Sequence, residues 1–329
     1  MLPGVFTSVH RYGSVFPGIV ANPTVERSMY SEAAEFTRIF REELCFNLEY
    51  SLDEDETRHG TMVPGKDGFM ERIQRFAAVL PVVSEWAWAV RRFAEHVRPD
   101  AYLLRTDWAG SEALAVTVYC RFPHEPRDVS FFDAVARAWP MGWSGPSPQA
   151  VGETLGVAGP RGIAFRVDRS GANRTAVYYK LSEDRTWLDP ETCHDLVRAC
   201  GLAEELAELI LADVKSLYPP GPVGVIGMDD GPGGVVGALK LDPSNVLLRT
   251  ALGFLSGKGV PAVATSRVAR LAEALRARWL SYLGAKYGPE GFAGWRAYFS
   301  YEPFRLAPAG SFRISSERHA VPTLRLPHY

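Results

Sequence analysis

The 329-residue sequence predicts an α/β (α+β) fold in which five β-hairpins alternate with amphipathic helices and close into a ten-stranded antiparallel barrel, helices outside. Three observations carry this expectation. Stretches of period-two hydrophobic alternation come in pairs joined by turn residues, and stretches of helical periodicity separate the pairs. The hairpins begin near positions 45, 102, 162, 223 and 295, at intervals of 57, 60, 61 and 72 residues, which is an internal repeat. One hairpin with its helix cannot bury its own apolar face, whereas five in a ring can. An open sheet, or two sandwiched sheets, is the alternative this pattern leaves open.

Residues 1–27, with Pro3, Pro17 and Pro23, read as an irregular arm. A first helix is capped by Ser28 or Ser31, places Ala33, Phe36 and Phe40 on one face, and ends near Leu44. Phe46, Leu48, Tyr50 and Leu52 then alternate with Asn47, Glu49, Ser51 and Asp53 as a half-buried strand that turns over 53–57. Helix is expected over 68–97, split at Pro81, with Val83, Trp86, Val90, Phe93 and Val97 striping its second half. The second hairpin runs over 102–122 through Ala109-Gly110-Ser111, and a helix over 130–139 follows. Segments 162–168 and 175–181 flank a Gly-containing loop as the clearest hairpin. Helices over 190–218 break at Gly201 and bury Leu202, Leu206, Leu209 and Ile210. The fourth hairpin pairs 223–228 with 235–241. Helices are expected over 245–255 and 266–287, the latter from the spacing of Val268, Leu271, Leu275, Trp279 and Leu283. A fifth hairpin over 295–315 completes a single domain, 28–315, before an extended tail over 316–329.

Composition excludes several classes. Hydrophobic residues are 47% and charged residues 22%, ordinary for a globular enzyme, and a net charge of −2 offers no global basic field for nucleic acid or anionic membrane. Cys45, Cys120, Cys193 and Cys200 lack CxxC spacing and read as reduced thiols. No secretory signal and no apolar run near 18 residues is evident, so a cytoplasmic location is expected. Asp229-Asp230-Gly231 is a turn rather than a metal–diphosphate motif, and Ser256-Gly257-Lys258-Gly259 misses the phosphate-loop spacing. The seven histidines form no metal-ligand pair, and no GxSxG elbow is present, so no metal site is expected.

The two faces of the hairpins differ. Ile163, Phe165 and Val167 share a face with Val177, Tyr179 and Leu181, which helices should cover; Ala164, Arg166 and Asp168 with Ala176, Tyr178 and Lys180 form the other. Likewise Leu114, Val116 and Val118 oppose Ala115, Thr117, Tyr119 and Arg121, and Trp295, Ala297 and Phe299 oppose Arg296, Tyr298 and Ser300. A polar sheet face ordinarily meets water. Here tyrosine and a cation sit two apart repeatedly, and turned into a barrel they would suit a ligand with a polyanionic head and a π-philic or cationic body.

Three stretches carry a resemblance: Asn47-Leu48-Glu49-Tyr50-Ser51; Leu104-Arg105-Thr106 with Ala109 and Ser111; and Gly162-Ile163-Ala164-Phe165-Arg166-Val167-Asp168 leading to Tyr178-Tyr179-Lys180. With the layout over 28–315 they resemble the ABBA-type aromatic prenyltransferases, and are most similar to the cyanobactin-type peptide prenyltransferases. The resemblance implies an ABBA prenyltransferase barrel holding an allylic prenyl diphosphate by lysine and arginine, with tyrosines shielding the allyl cation and a carboxylate taking a proton from the acceptor. Such chemistry needs cations for the leaving charge and aromatic faces for a cation kept from water. By position Glu49 matches the carboxylate; Arg58, Arg121, Lys180, Lys240 and Arg296 are candidates for the diphosphate; Tyr119, Tyr178 and Tyr298 for the shield. The sequence departs from the family at Ala115, where a lysine is usual. The implied activity moves a dimethylallyl or geranyl group to a peptide side chain (Tyr, Trp, His or Arg) or an indole or phenol, as in RiPP or natural-product biosynthesis. Mg2+ could bridge the diphosphate, though nothing in the sequence demands it. A non-catalytic barrel binding a hydrophobic or anionic small molecule is the alternative, and it would not need Glu49.

Overall fold

A computed structural model of the chain describes residues 32–40, 48–53, 58–65, 68–78, 80, 84–109, 112–122, 131, 135, 143, 145–157, 159–181, 189–217, 223–230, 236–274 and 277–301. In chain order these form α1 (Glu32–Ile39), β1 (Leu48–Asp53), β2 (Arg58–Gly65), α2 (Phe69–Ala77), α3 (Ser84–Val97), β3 (Ala101–Ala109), β4 (Glu112–Arg121), α4 (Pro148–Thr154), β5 (Gly162–Asp168) and β6 (Asn173–Tyr179). There follow α5 (Pro190–Ala199), α6 (Glu205–Ser216), β7 (Val223–Asp229), β8 (Ala238–Leu247), α7 (Leu248–Gly257), α8 (Ala262–Ala274), β9 (Trp279–Gly288) and β10 (Gly291–Tyr301). Each strand pairs antiparallel with its sequence neighbour, and β1 pairs with β10, which closes the barrel. Closure leaves no strand edge to protect.

The apolar faces look outward to the helices. Leu104, Trp108, Val116, Val118, Ile163, Phe165 and Val167 join Phe36, Phe40, Phe76, Val90 and Phe93 in one core; Val177, Tyr179, Ile226, Met228 and Leu239 join Cys193, Leu196, Leu206 and Ile210 in a second. Helix α1 is pinned by the Phe36 ring against Trp108, whose indole N–H donates to Thr61 Oγ1 at 2.9 Å. The expected break at Pro81 separates α2 from α3, and Gly201, at φ 69°, separates α5 from α6. Asp189 caps α5 by accepting from the Thr192 N–H at 2.9 Å.

Three expectations are corrected. The segment 266–287 is not one helix: α8 ends at Ala274, and β9 begins at Trp279. The apolar spacing ran unbroken through the junction because Leu280 and Leu283 are buried at both odd and even positions of β9, which hides the alternation of a strand. The fifth hairpin is therefore β9–β10, turning at 289–290, and it begins near 279 rather than 295, making the repeat more even. The helix expected from 245 starts at Leu248; Asn245 instead sits within β8 at φ 54°, a left-handed residue that lets the strand continue to Leu247. Helix α4 was not anticipated. Ser256 to Gly259 are the last residues of α7 and the turn after it, where Lys258 Nζ turns to Asp213 at 2.5 Å. Cys120, Cys193 and Cys200 are free and buried. No helix among the described residues is long and apolar enough to cross a membrane. The arm 1–27, Cys45, most of the helix expected over 130–139, residues 302–315 and the tail lie outside the described residues.

Candidate active site

Strand alternation sends the second set of side chains into the lumen. Glu49, Ser51 and Asp53 come from β1, Arg105 and Asp107 from β3, Thr117, Tyr119 and Arg121 from β4, and Arg166 from β5. Tyr178 comes from β6, Lys240 and Asp242 from β8, Tyr282 and Lys286 from β9, Arg296 and Tyr298 from β10. The polar hairpin faces thus turn inward.

Lys240 lies at the centre of the cluster, 5% exposed. Its Nζ donates to Tyr298 Oη at 2.8 Å, pairs with Asp242 Oδ2 at 3.0 Å, and lies 5.6 and 5.0 Å from the ring centres of Tyr178 and Tyr298. Tyr178 stacks obliquely on Tyr119 at 5.4 Å, and Tyr298 meets Tyr282 edge-on at 6.3 Å. Burial holds the phenols of Tyr119 and Tyr178 above their usual range, so at neutral pH these rings are uncharged. Gly227 makes this packing possible: a Cβ there would lie 2.7 Å from the Tyr178 ring. Gly284 has the same role opposite Lys240, where a Cβ would come within 2.6 Å of Asp242 Oδ1 and 3.2 Å of Tyr298.

A second layer is ionic. Arg105, 1% exposed, donates through Nε to Asp107 Oδ1 at 2.7 Å and through Nη1 to Ser51 Oγ at 2.8 Å, and its Nη2 lies 3.7 Å from Asp53. Arg166 pairs with Asp107, and Arg296 with Asp53. Surrounding guanidinium charge from Arg105, Arg296 and Arg166 outweighs burial and holds the Asp107 carboxyl far below the usual carboxylate range. Lys286 pairs with Asp229 at 2.7 Å.

Glu49 differs from these carboxylates. It sits on the lumen face of β1, half-buried, where desolvation and then the charge of Asp242 raise its pKa to about 7 against the opposing pull of Arg105, Lys240 and Arg121. A carboxyl titrating there can take a proton at neutral pH and give it up again.

The structure brings Glu49, Lys240, Arg296, Tyr119, Tyr178 and Tyr298 onto one lumen surface. Arg121 occupies the last, half-buried position of β4, and Lys180 lies one residue past β6, also half-buried. Arg58 does not join them: it is exposed at the first position of β2, because the strand has only begun to enter the barrel there. Ala115, the departure from the expected lysine, pairs with Asp107 and Asp168, beside the charge of Arg105 and Arg166. Sequence reasoning missed Arg105, Asp107, Asp53 and Asp242 as site residues, although the alternation of Leu104, Thr106 and Trp108 carried the first two. Tyr282 and Lys286 were hidden by the helical reading of β9.

The ring of ten antiparallel strands, with its helices outside, is the ABBA prenyltransferase fold. Solved structures similar to this chain include 5-dimethylallyltryptophan synthase from Streptomyces coelicolor, at 16% identity and TM-score 0.55, covering 96% of this chain and 93% of that one. Another is the prenyltransferase PriB in a binary complex with product diphosphate, at 13% identity and TM-score 0.51, covering 78% of this chain and 79% of that one. A third is 6-dimethylallyltryptophan synthase from Micromonospora olivasterospora in complex with DMASPP and Trp, at 12% identity and TM-score 0.51, with coverages of 83% and 96%. No family profile and no curated protein matches the chain.

Proposed function

We propose that the protein is a prenyltransferase that moves an allylic group, dimethylallyl or geranyl, from its diphosphate to an electron-rich acceptor. The observation that carries this reading is the lumen cluster: a buried ammonium ringed by tyrosines, beside a carboxyl that titrates near neutrality. In the reaction the allylic C–O bond breaks, with its electron pair leaving on the diphosphate, the allyl carbon bonds to the acceptor, and the acceptor's proton passes to Glu49. Lys240, Arg296, Arg121 and Lys180 would stabilise the leaving charge, while Tyr119, Tyr178 and Tyr298 face the electron-deficient carbon and keep water from it. Arg58 retains only an outer role, drawing the anion towards the barrel.

The acceptor in this proposal is a peptide side chain (Tyr, Trp, His or Arg) or an indole or phenol, and the setting is natural-product or RiPP biosynthesis in the cytoplasm, where three buried free cysteines would stay reduced. The solved complexes with product diphosphate, and with DMASPP and Trp, support a donor and an aromatic acceptor for this fold. Mg2+ enters as a companion of the diphosphate: no group of three or more His, Cys, Asp or Glu among the described residues forms a cage for it. Incubation with labelled dimethylallyl and geranyl diphosphates and a panel of Tyr, Trp, His and Arg peptides, with and without Mg2+, tests the reading. Labelled peptide or indole product is expected. No transfer from either donor, together with no diphosphate binding by calorimetry, would overturn it.

A further inference from the structure

Five of the inward cations already hold carboxylates. Lys240 touches Asp242, Arg296 touches Asp53, Arg105 and Arg166 touch Asp107, and Lys286 touches Asp229. A diphosphate approaching any of these five meets charge that is already masked, and its contacts there compete with a resident carboxylate.

The competition is clearest at Lys240. Asp242 is 7% exposed and uses one oxygen, Oδ2, on the ammonium; its other oxygen, Oδ1, is buried and accepts no hydrogen bond among the described residues. A buried carboxylate is well stabilised only when its remaining lone pairs are also satisfied. Asp242 is therefore a poor permanent structural partner. It does offer Lys240 what a diphosphate offers, an anionic oxygen at ion-pair distance, and Tyr298 Oη holds the ammonium from another side at 2.8 Å. With Tyr298 and the ring of Tyr178 in place, Lys240 can exchange one anion for another without moving far.

We propose that Asp242 is a resident stand-in for the donor's diphosphate: it holds Lys240 in the ligand-free barrel, yields it to a diphosphate oxygen when the donor binds, and recaptures it as the product diphosphate leaves. This deepens the prenyl-diphosphate reading and rests on it. No covalent bond changes in the exchange. Its consequence is a donor site weaker than its cation content suggests and quicker to release product.

Calorimetry of inorganic pyrophosphate binding to the full chain tests this at pH 8, where Glu49 is ionised. Asp242→Asn keeps the side-chain shape but removes the competing anion, and should tighten binding by about tenfold. Glu49→Gln removes a neighbouring lumen carboxylate that has no ion pair among the described residues, and should tighten it by less than about threefold through general charge alone. Weaker or unchanged binding in Asp242→Asn, or a gain no larger than that of Glu49→Gln, would overturn the exchange while leaving the donor reading intact. Absence of binding in all three proteins would overturn both. A crystal structure of the wild-type chain with pyrophosphate decides the matter even where a variant fails to fold: Lys240 should have left Asp242 for the anion, and a pair still at 3.0 Å contradicts the proposal.

Discussion

Glu49 and His59 titrate in opposite senses. Burial and Asp242 raise Glu49 to about 7, so the folded state binds its proton more tightly than the unfolded chain. The stability this supplies is complete below the unfolded value of 4.5 and lost as pH rises through 7. Burial, aided by Arg267, lowers His59 to about 4, so its stability is complete above 6.5 and lost as pH falls towards 4. Each effect is worth about 3 kcal/mol at most, and between pH 5 and 6.5 they offset one another. Glu49→Gln should therefore lose more stability than wild type between pH 7 and pH 5 in urea denaturation; His59→Gln should gain relative to wild type over the same range. Activity gives a separate check. If Glu49 takes the acceptor's proton, turnover rises with pH through about 7, and Glu49→Gln lowers it by about 100- to 10,000-fold while donor binding survives.

Among the elements, glycine placement on two strands decides the shape of the tyrosine cluster. Gly227→Val on β7 would drive into the Tyr178 ring, since even a Cβ lies 2.7 Å away. In the proposed reaction, displacing Tyr178 would let water reach the electron-deficient carbon, and the ratio of free prenol to transferred prenyl should rise about tenfold in a labelled-donor assay. Outside the barrel, Trp108 joins β3 to α1 through Phe36. Trp108→Ala should cost about 3–5 kcal/mol in denaturant titration, by cavity and by loss of the Thr61 hydrogen bond. The elements legible in the sequence were those with one apolar and one polar face, such as β5, whose observed bounds equal the expected ones. Strand β9 was illegible because burial on both faces removes alternation, and its residues then continued the helical spacing of α8.

Across the whole molecule, the repeat and the inward polar faces were readable because both are one-dimensional patterns: hairpin spacing and parity along a strand. Partnerships between distant strands were not. Lys240 could be placed on the lumen face from the sequence, but its pairing with Tyr298, 58 residues away, depends on the register of β8, β9 and β10 together. Arg58 shows the converse, correct in parity but stranded at the exposed end of β2. In the proposed reaction the closed lumen, rather than an outer surface, holds a prenyl diphosphate between the tyrosines and Glu49. A crystal structure soaked with a non-hydrolysable dimethylallyl diphosphate analogue tests it most directly. The diphosphate is expected against Lys240 and Arg296, with the allyl group facing Tyr119, Tyr178 and Tyr298; an analogue bound outside the barrel, or a lumen left empty at saturating analogue, would contradict this placement.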